Sequence, residues 1–356
     1  NLLQVMCRRV FMKTLTKFQF LVTILLFSNE LKAQENAPTF FAGSADMYYK
    51  YDFSEQDNGL TSFTNSHDSF QIGMLSLEAS HQFGKASVYA DLGFGNRAAQ
   101  FSYHDGAATF MIKQLNVTYQ FSKSFKIVAG SFGTHIGYEL VDAVDNKNYS
   151  MSYGFSYGPF FNTGVKAILN QGKFNYMLGI TNPTDFKSAI EAGSTQKTLI
   201  GQVTYTGVKE SAYFNFSSGS SNPSSQKNKT QLDFVGTKKV NDKWNLAFNA
   251  TYNFVTDDQD ASLDGNWFSM AGYASYQLNN KWILAYRLEY FDDSDGVIAF
   301  ADGANVLSNT FSLNFKEGNF TFIPEIRIDS ASEEIFSVGT PKKLNGYALV
   351  ATTYTF

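Results

Sequence analysis

The chain has 356 residues, of which 44% are hydrophobic, 16% aromatic and only 17% charged, with a formal net charge of −4. That charge content falls short of the quarter or more that a soluble surface carries, and beyond the N-terminal leader no run of about 18 apolar residues exists to form a spanning helix. A membrane protein without such a helix must cross as a closed β-barrel, since lipid offers backbone N–H and C=O groups no other partners; the competing fold is a soluble, secreted β-protein.

In chain order, residues 1–11 read as an over-extended or truncated frame, and Met12 is the expected start. A secretory leader follows: Lys13 and Lys17 form its basic region, Phe18 to Phe27 its apolar core, and Leu31-Lys32-Ala33 a cleavage site before Gln34. The expected organisation is a signal-peptide region over 1–33 and an outer-membrane barrel over 34–356. The one cysteine, Cys7, lies in the leader, so the mature chain is expected to hold neither disulfide nor thiol nucleophile. Of the 28 basic and 32 acidic residues the leader holds five (Arg8, Arg9, Lys13, Lys17, Lys32) and one (Glu30). The remaining 23 and 31 put the mature chain at −8, which argues against nucleic acid as a partner.

Sixteen strand-like segments follow, with helix-start signals nearly absent. The predicted strands run Thr39 to Asp52, Ser69 to Phe83, Ala86 to Gly95, Thr109 to Phe121, Phe125 to His135, Met151 to Leu169, Lys173 to Asn182 and Gln196 to Thr206. The second half runs Lys209 to Ser218, Lys229 to Val240, Lys243 to Val255, Asn266 to Leu278, Lys281 to Asp292, Val306 to Lys316, Asn319 to Ser330 and Lys343 to Phe356. Tight turns such as Gly84-Lys85, Asn170-Gln171-Gly172 and Glu317-Gly318 follow the even-numbered strands, and longer polar loops follow the odd ones. Short turns on one rim and long loops on the other are the layout of bacterial barrels, with the turns periplasmic.

Within the strands, Trp244, Leu246, Phe248, Tyr252 and Phe254 alternate with Asn245, Asn249, Thr251 and Asn253. That alternation alone also fits a soluble sandwich; the strand count, the loop asymmetry and the leader favour the barrel. If the apolar parity faces lipid, then Arg287, Glu289, Glu325, Arg327 and Asp329 point inward, as do Asp46, Lys50 and Asp91. These eight are the candidate pore-lining residues, and their mixed signs either pair off as a structural wall or set a transverse field across a pore. The third long loop, Ile136 to Ser150, carries Glu139, Asp142 and Asp145 at spacings of three, which places them on one side of a short helical turn. Leu140, Val141 and Val144 would press its other side to the wall. This loop is the candidate acidic constriction, weighed against an ordinary solvated outer loop. The last strand carries the terminal aromatics Tyr354 and Phe356, expected to serve as both seam and assembly signal.

His67, His81, His104 and His135 are scattered with no pair at zinc-ligand spacing, and no catalytic set of side chains converges. The runs Asp257-Asp258-Gln259-Asp260 and Asp292-Asp293-Ser294-Asp295 lack the glutamate of an EF-hand loop and read as acidic, solvated outer loops. No catalytic, cofactor-binding or metal residue is assigned, and the chain is expected not to be an enzyme.

The run A-G-S-F-G-T-H-I-G-Y-E-L from Ala129 and N-Y-S-M-S-Y-G-F-S-Y-G-P-F-F-N-T-G-V-K from Asn148 resemble the OmpL-like β-barrel porin family common in Bacteroidetes, as does Pro324-Glu-Ile-Arg-Ile-Asp329. The resemblance spans the mature chain. It implies a Gram-negative outer-membrane porin with no catalytic residue or cofactor to carry over. The expectation is therefore an all-β, sixteen-stranded antiparallel barrel for passive diffusion of small hydrophilic solutes; the alternative is a plugged barrel that docks a ligand. Its expected partners are outer-membrane lipid, the barrel assembly machinery, the solutes and, as an open possibility, further copies of itself to form a homo-oligomer. A TonB-dependent receptor is excluded, because no plug domain fits between Gln34 and Thr39.

Overall fold

The computed structural model describes residues 38–106, 109–188, 196–220, 227–336, 340 and 342–356; the expected leader and its cleavage site lie outside them. The first eight strands are β1 (Phe40–Asp52), β2 (Ser69–Phe83), β3 (Ala86–Phe94), β4 (Ile112–Gln120), β5 (Phe125–Gly133), β6 (Phe161–Gln171), β7 (Phe174–Thr181) and β8 (Thr198–Thr206). The second eight are β9 (Glu210–Ser220), β10 (Lys227–Lys239), β11 (Trp244–Asp257), β12 (Gly265–Gln277), β13 (Trp282–Asp293), β14 (Ala304–Glu317), β15 (Phe320–Ala331) and β16 (Leu344–Thr355). Each pairs antiparallel with its neighbours, and β1 pairs with β16 from Ser44↔Thr355 to Asp52↔Tyr347, which closes the barrel. Sixteen strands in one closed antiparallel sheet match the expectation from the sequence.

The alternation of the strands sets two environments. Leu246, Phe248, Phe254, Leu284 and Ile326 are exposed on the outer wall, which in a membrane faces acyl chains. The interior is polar and yet buried: Arg287, Arg327 and Lys50 on the inner wall, and Arg97 on the loop after β3, are among the largest side chains with almost no accessible surface. Tight turns join β2 to β3, β6 to β7 and β14 to β15, with Gly84, Gly172 and Gly318 at φ of 57°, 63° and 59°, a region that L side chains avoid.

Two predicted segments need correction. The sixth strand begins at Phe161 instead of Met151, because Met151 to Phe160 is the second half of the third long loop. Its S-Y-G-F-S-Y text has a strand's period, but Ser152 Oγ accepts from the amide of Phe155 at 3.0 Å and winds a single helical turn, α2 (Tyr153–Ser156). A second short helix, α1 (Asn96–Phe101), occupies the loop after β3, where no helix was expected.

At the seam, Gly43 and Phe356 exchange both backbone hydrogen bonds at 3.0 Å. A Cβ on Gly43 would lie 2.4 Å from the Phe356 ring, so the aromatic packs where only glycine leaves room. Deleting Phe356 is expected to lower the amount of folded barrel in the membrane well below the amount of chain synthesised, since two seam bonds and the ring contact go together. Undiminished barrel levels, measured by heat-dependent gel mobility of membrane fractions, would refute this role.

Candidate functional site

The third long loop, residues 134–160 between β5 and β6, does not stand outside the barrel: it crosses the interior and bonds to both walls. On one side the inward charges of β13 and β15 hold its backbone. Glu325 accepts from the amides of Tyr149 and Ser150 at 2.7 and 3.1 Å, and Glu289 from those of Tyr153 and Gly154 at 2.8 and 2.7 Å. Arg287 donates to the Ser150 carbonyl at 2.6 Å and Arg327 to that of Met151 at 2.7 Å. A loop buried inside a barrel must satisfy its own N–H and C=O groups, and here alternating cations and carboxylates two residues apart on each strand do so.

Side-chain pairs complete the attachment. Arg287 forms an ion pair with Glu139 at 2.5 Å, and Arg327 pairs with Asp329, which also accepts from the Tyr153 hydroxyl at 3.0 Å. Towards β1 to β4, Asp46 accepts from the Tyr149 hydroxyl, while Lys113 binds both oxygens of Asp142 at 2.8 and 2.7 Å and Asp91 at 3.0 Å. Arg97 on α1 lies 3.8 Å from Asp46 and donates to the Val141 carbonyl at 3.1 Å. Lys50 points inward but serves the first loop, donating to the Thr64 carbonyl at 3.1 Å beside Asp52.

Across the interior, the start of the same loop meets β8 to β12. The Gly137 amide donates to Asp233 at 3.1 Å, the Tyr138 amide to Asn249 at 3.3 Å, and the His135 Nε2–H to the Phe216 carbonyl at 2.9 Å. Burial pushes His135 down to about 4, so its imidazole is neutral at physiological pH. The Tyr138 and Tyr273 rings lie 4.5 Å apart. Two cavities flank this crossing: one of about 370 Å³ on the loop rim, against β8 to β11, and one of about 170 Å³ on the turn rim, beside Tyr138, Asp145 and Lys147.

All eight inward-pointing residues therefore sit on the inner face, but each is buried and engaged; the mixed-sign cluster is paired off against the loop. Glu139, Asp142 and Asp145 do not share one acidic side. The turn that holds the last of them is a single 3-10 turn, Ala143–Asp145, and the three carboxylates diverge. Glu139 is 5% exposed against Arg287 and Asp142 is neutralised by Lys113, whereas Asp145 is exposed at the inner cavity. Burial and the neighbouring Asp142 raise the Asp145 pKa above its ordinary value. Of the three apolar residues, Val141 packs against the Phe63, Phe101 and Phe160 cluster, but Leu140 is 53% exposed.

Sequence reading missed Lys113, Arg97, Asp233 and Asn249. Lys113 has the parity of Leu115 and Val117, which face outward. A bulge turns it inward, since Asp91 pairs with Gln114 and Leu92 with Ile112, leaving Lys113 unpaired between them. Asp233 and Asn249 lie on the polar parity of their strands, a signal that marks the face but not the loop it receives.

A family model described as "Putative beta-barrel porin-2, OmpL-like" matches residues 38–356. Among solved structures the fold is similar to an anion-selective porin from Comamonas acidovorans, with TM-score 0.64, 12% identity, and coverage of 90% of this chain and 100% of that one. It is also similar to the outer membrane protein OmpT of Vibrio cholerae (TM-score 0.59, 11% identity, 92% and 100% coverage). The outer membrane channel DcaP of Acinetobacter baumannii gives TM-score 0.58, 13% identity, and 92% and 99% coverage. No curated protein matches the sequence.

Proposed function

The chain belongs to the OmpL-like β-barrel porin-2 family, and from that premise we propose that it lets small hydrophilic solutes diffuse passively past an inward third loop that sets the narrowest section. It is an outer-membrane channel protein of the Gram-negative envelope. The observation that carries the proposal is the loop's double attachment, to Glu325, Glu289 and Arg287 on one wall and to Asp233 and Asn249 on the other. A polypeptide pinned across a barrel leaves a passage only beside itself, and the two cavities lie on either side of the His135 to Tyr138 crossing. No catalytic step enters this reading, lipid surrounds the exposed wall, and the barrel assembly machinery reads the β16 end.

The same attachment favours a second reading, a barrel closed at rest, because the crossing touches the wall through His135, Gly137 and Tyr138. Planar-bilayer recording of the full chain separates the two: discrete conductance steps support the channel, and a silent, folded protein supports the closed barrel. Charge selectivity gives a finer test. Asp145 is the exposed carboxylate of the three, so Asp145→Asn is expected to reduce cation preference in a salt gradient without loss of folding. An unchanged reversal potential would place Asp145 away from the ion path.

A further inference from the structure

We propose that the outer cavity binds a small polyhydroxylated solute bearing a single carboxylate, a sugar acid, with Lys229 receiving the carboxylate and Thr198, Gln231 and Asn253 the hydroxyls. The inference rests on the channel reading, which it deepens by naming a solute class. The cavity measures about 370 Å³, enough for a monosaccharide, and lies where solute from outside first meets the crossing loop.

The sheet register builds its wall. Thr198 pairs with Gly219 and Gly219 with Lys229, so these three stand in one row across β8, β9 and β10. One step inward, Ser217 pairs with Gln231 and Gln231 with Asn253. Gly219 lets β8 and β9 approach closely here: a Cβ there would come within 2.4 Å of the Lys197 carbonyl and 2.7 Å of Thr198 Oγ1. The polar groups of this patch are unusually free. Thr198 and Asn253 are each 3% exposed, yet Thr198 Oγ1 and Asn253 Oδ1 have no hydrogen-bond partner among the described residues. Buried polar atoms are normally paired, and two orphans lining one cavity mark places for a ligand's hydroxyl donors. Gln231 donates to Thr251 at 2.7 Å and keeps its carbonyl oxygen for the same purpose.

Lys229 supplies the charge. Among the described residues no hydrogen bond or ion pair engages its ammonium, in contrast to Lys50, Lys113 and Lys187, each held by a carboxylate. The carboxylate that acts on it electrostatically is Asp185, which already accepts from the amides of Phe160 and Phe161 and from the Tyr103 hydroxyl. One ammonium, with the cavity's carboxylate Asp185 already engaged by those three donors, suits a monoanion. A dianionic phosphate calls for the clustered, forked donors that arginines provide, and no arginine lines this cavity.

The test is calorimetric titration of the full chain, refolded in detergent, with sodium D-glucuronate, D-glucose and sodium acetate. Glucuronate is expected to bind saturably and both others at least about tenfold more weakly, as the loss of a hydrogen bond to a charged group implies. Lys229→Gln should weaken glucuronate about tenfold towards the level of glucose, and Lys229→Arg should keep most of the affinity. Glucose binding as tightly as glucuronate, undiminished binding in Lys229→Gln, or no binding at all to the native chain would each overturn the proposal. Because the heat does not depend on conductance, binding in a protein that stays silent in bilayers would sink the channel reading and leave the site standing.

Discussion

Excising residues 138–155 is expected to raise single-channel conductance several-fold. This segment carries the amides taken by Glu325 and Glu289, the carbonyls taken by Arg287 and Arg327, and Glu139 and Asp142 with their cationic partners. It is most of the polypeptide that fills the interior between β1 to β4 and β13 to β15, and a sixteen-stranded barrel emptied of it is wide enough for an aqueous channel. The wall charges it abandons do not become buried orphans, because water follows into the space and hydrates them. The sheet does not depend on the segment, since β5 and β6 pair directly from Phe125↔Leu169 to Gly133↔Phe161. Folding is checked by heat-dependent gel mobility. A folded deletion protein with unaltered conductance would mean that solutes never pass beside this loop.

The second large effect is on stability. Arg287→Ala leaves Glu139 a buried carboxylate with no cation and deprives the Ser150 carbonyl of its donor. Breaking one side of a buried ion pair costs about 3–5 kcal/mol, most of it the burden of the charge left behind. Removing both charges avoids that burden. The double variant Arg287→Ala, Glu139→Ala is therefore expected to recover a large share of the lost stability, measured as the temperature at which the folded band converts to the unfolded one. Equal destabilisation by the single and the double variant would show that Glu139 is hydrated in the folded protein and that the pair does not fasten the loop.

Arg287, Glu289, Glu325, Arg327 and Asp329 were legible in the sequence because a strand's period of two converts position into facing. That rule extends only as far as the ladder is regular. At Lys113 a bulge reverses the parity, and at Asp46 a second irregularity opposite Gly73 lets the carboxylate fill the space a side chain would take; a Cβ on Gly73 would lie 1.7 Å from Asp46 Oδ2. Glu139 and Asp142 stood out as charges in a loop, but their partners are 148 and 29 residues away, on strands whose facing says nothing about which loop they meet. The text from Met151 to Ser156 shows the converse failure. Its alternation was real, yet Glu289 takes the Tyr153 and Gly154 amides that a strand would give to a neighbour, and the segment coils. Local pattern carried the wall; the loop's path depends on contacts distant in sequence.

The loop's position across the interior is tested most directly by a cross-link between its tip and the wall. A Cβ built on Gly154 lies 2.8 Å from the Ser269 Cβ on β12, and a shift of about one ångström brings that separation into the disulfide range. The chain's one cysteine, Cys7, falls in the expected leader, so Gly154→Cys with Ser269→Cys adds the only pair in the barrel. The pair is expected to oxidise almost completely in the folded protein, read as loss of free thiol and as altered mobility on a non-reducing denaturing gel. Two free thiols, both open to a water-soluble reagent in a folded barrel, would contradict a loop fastened inside it.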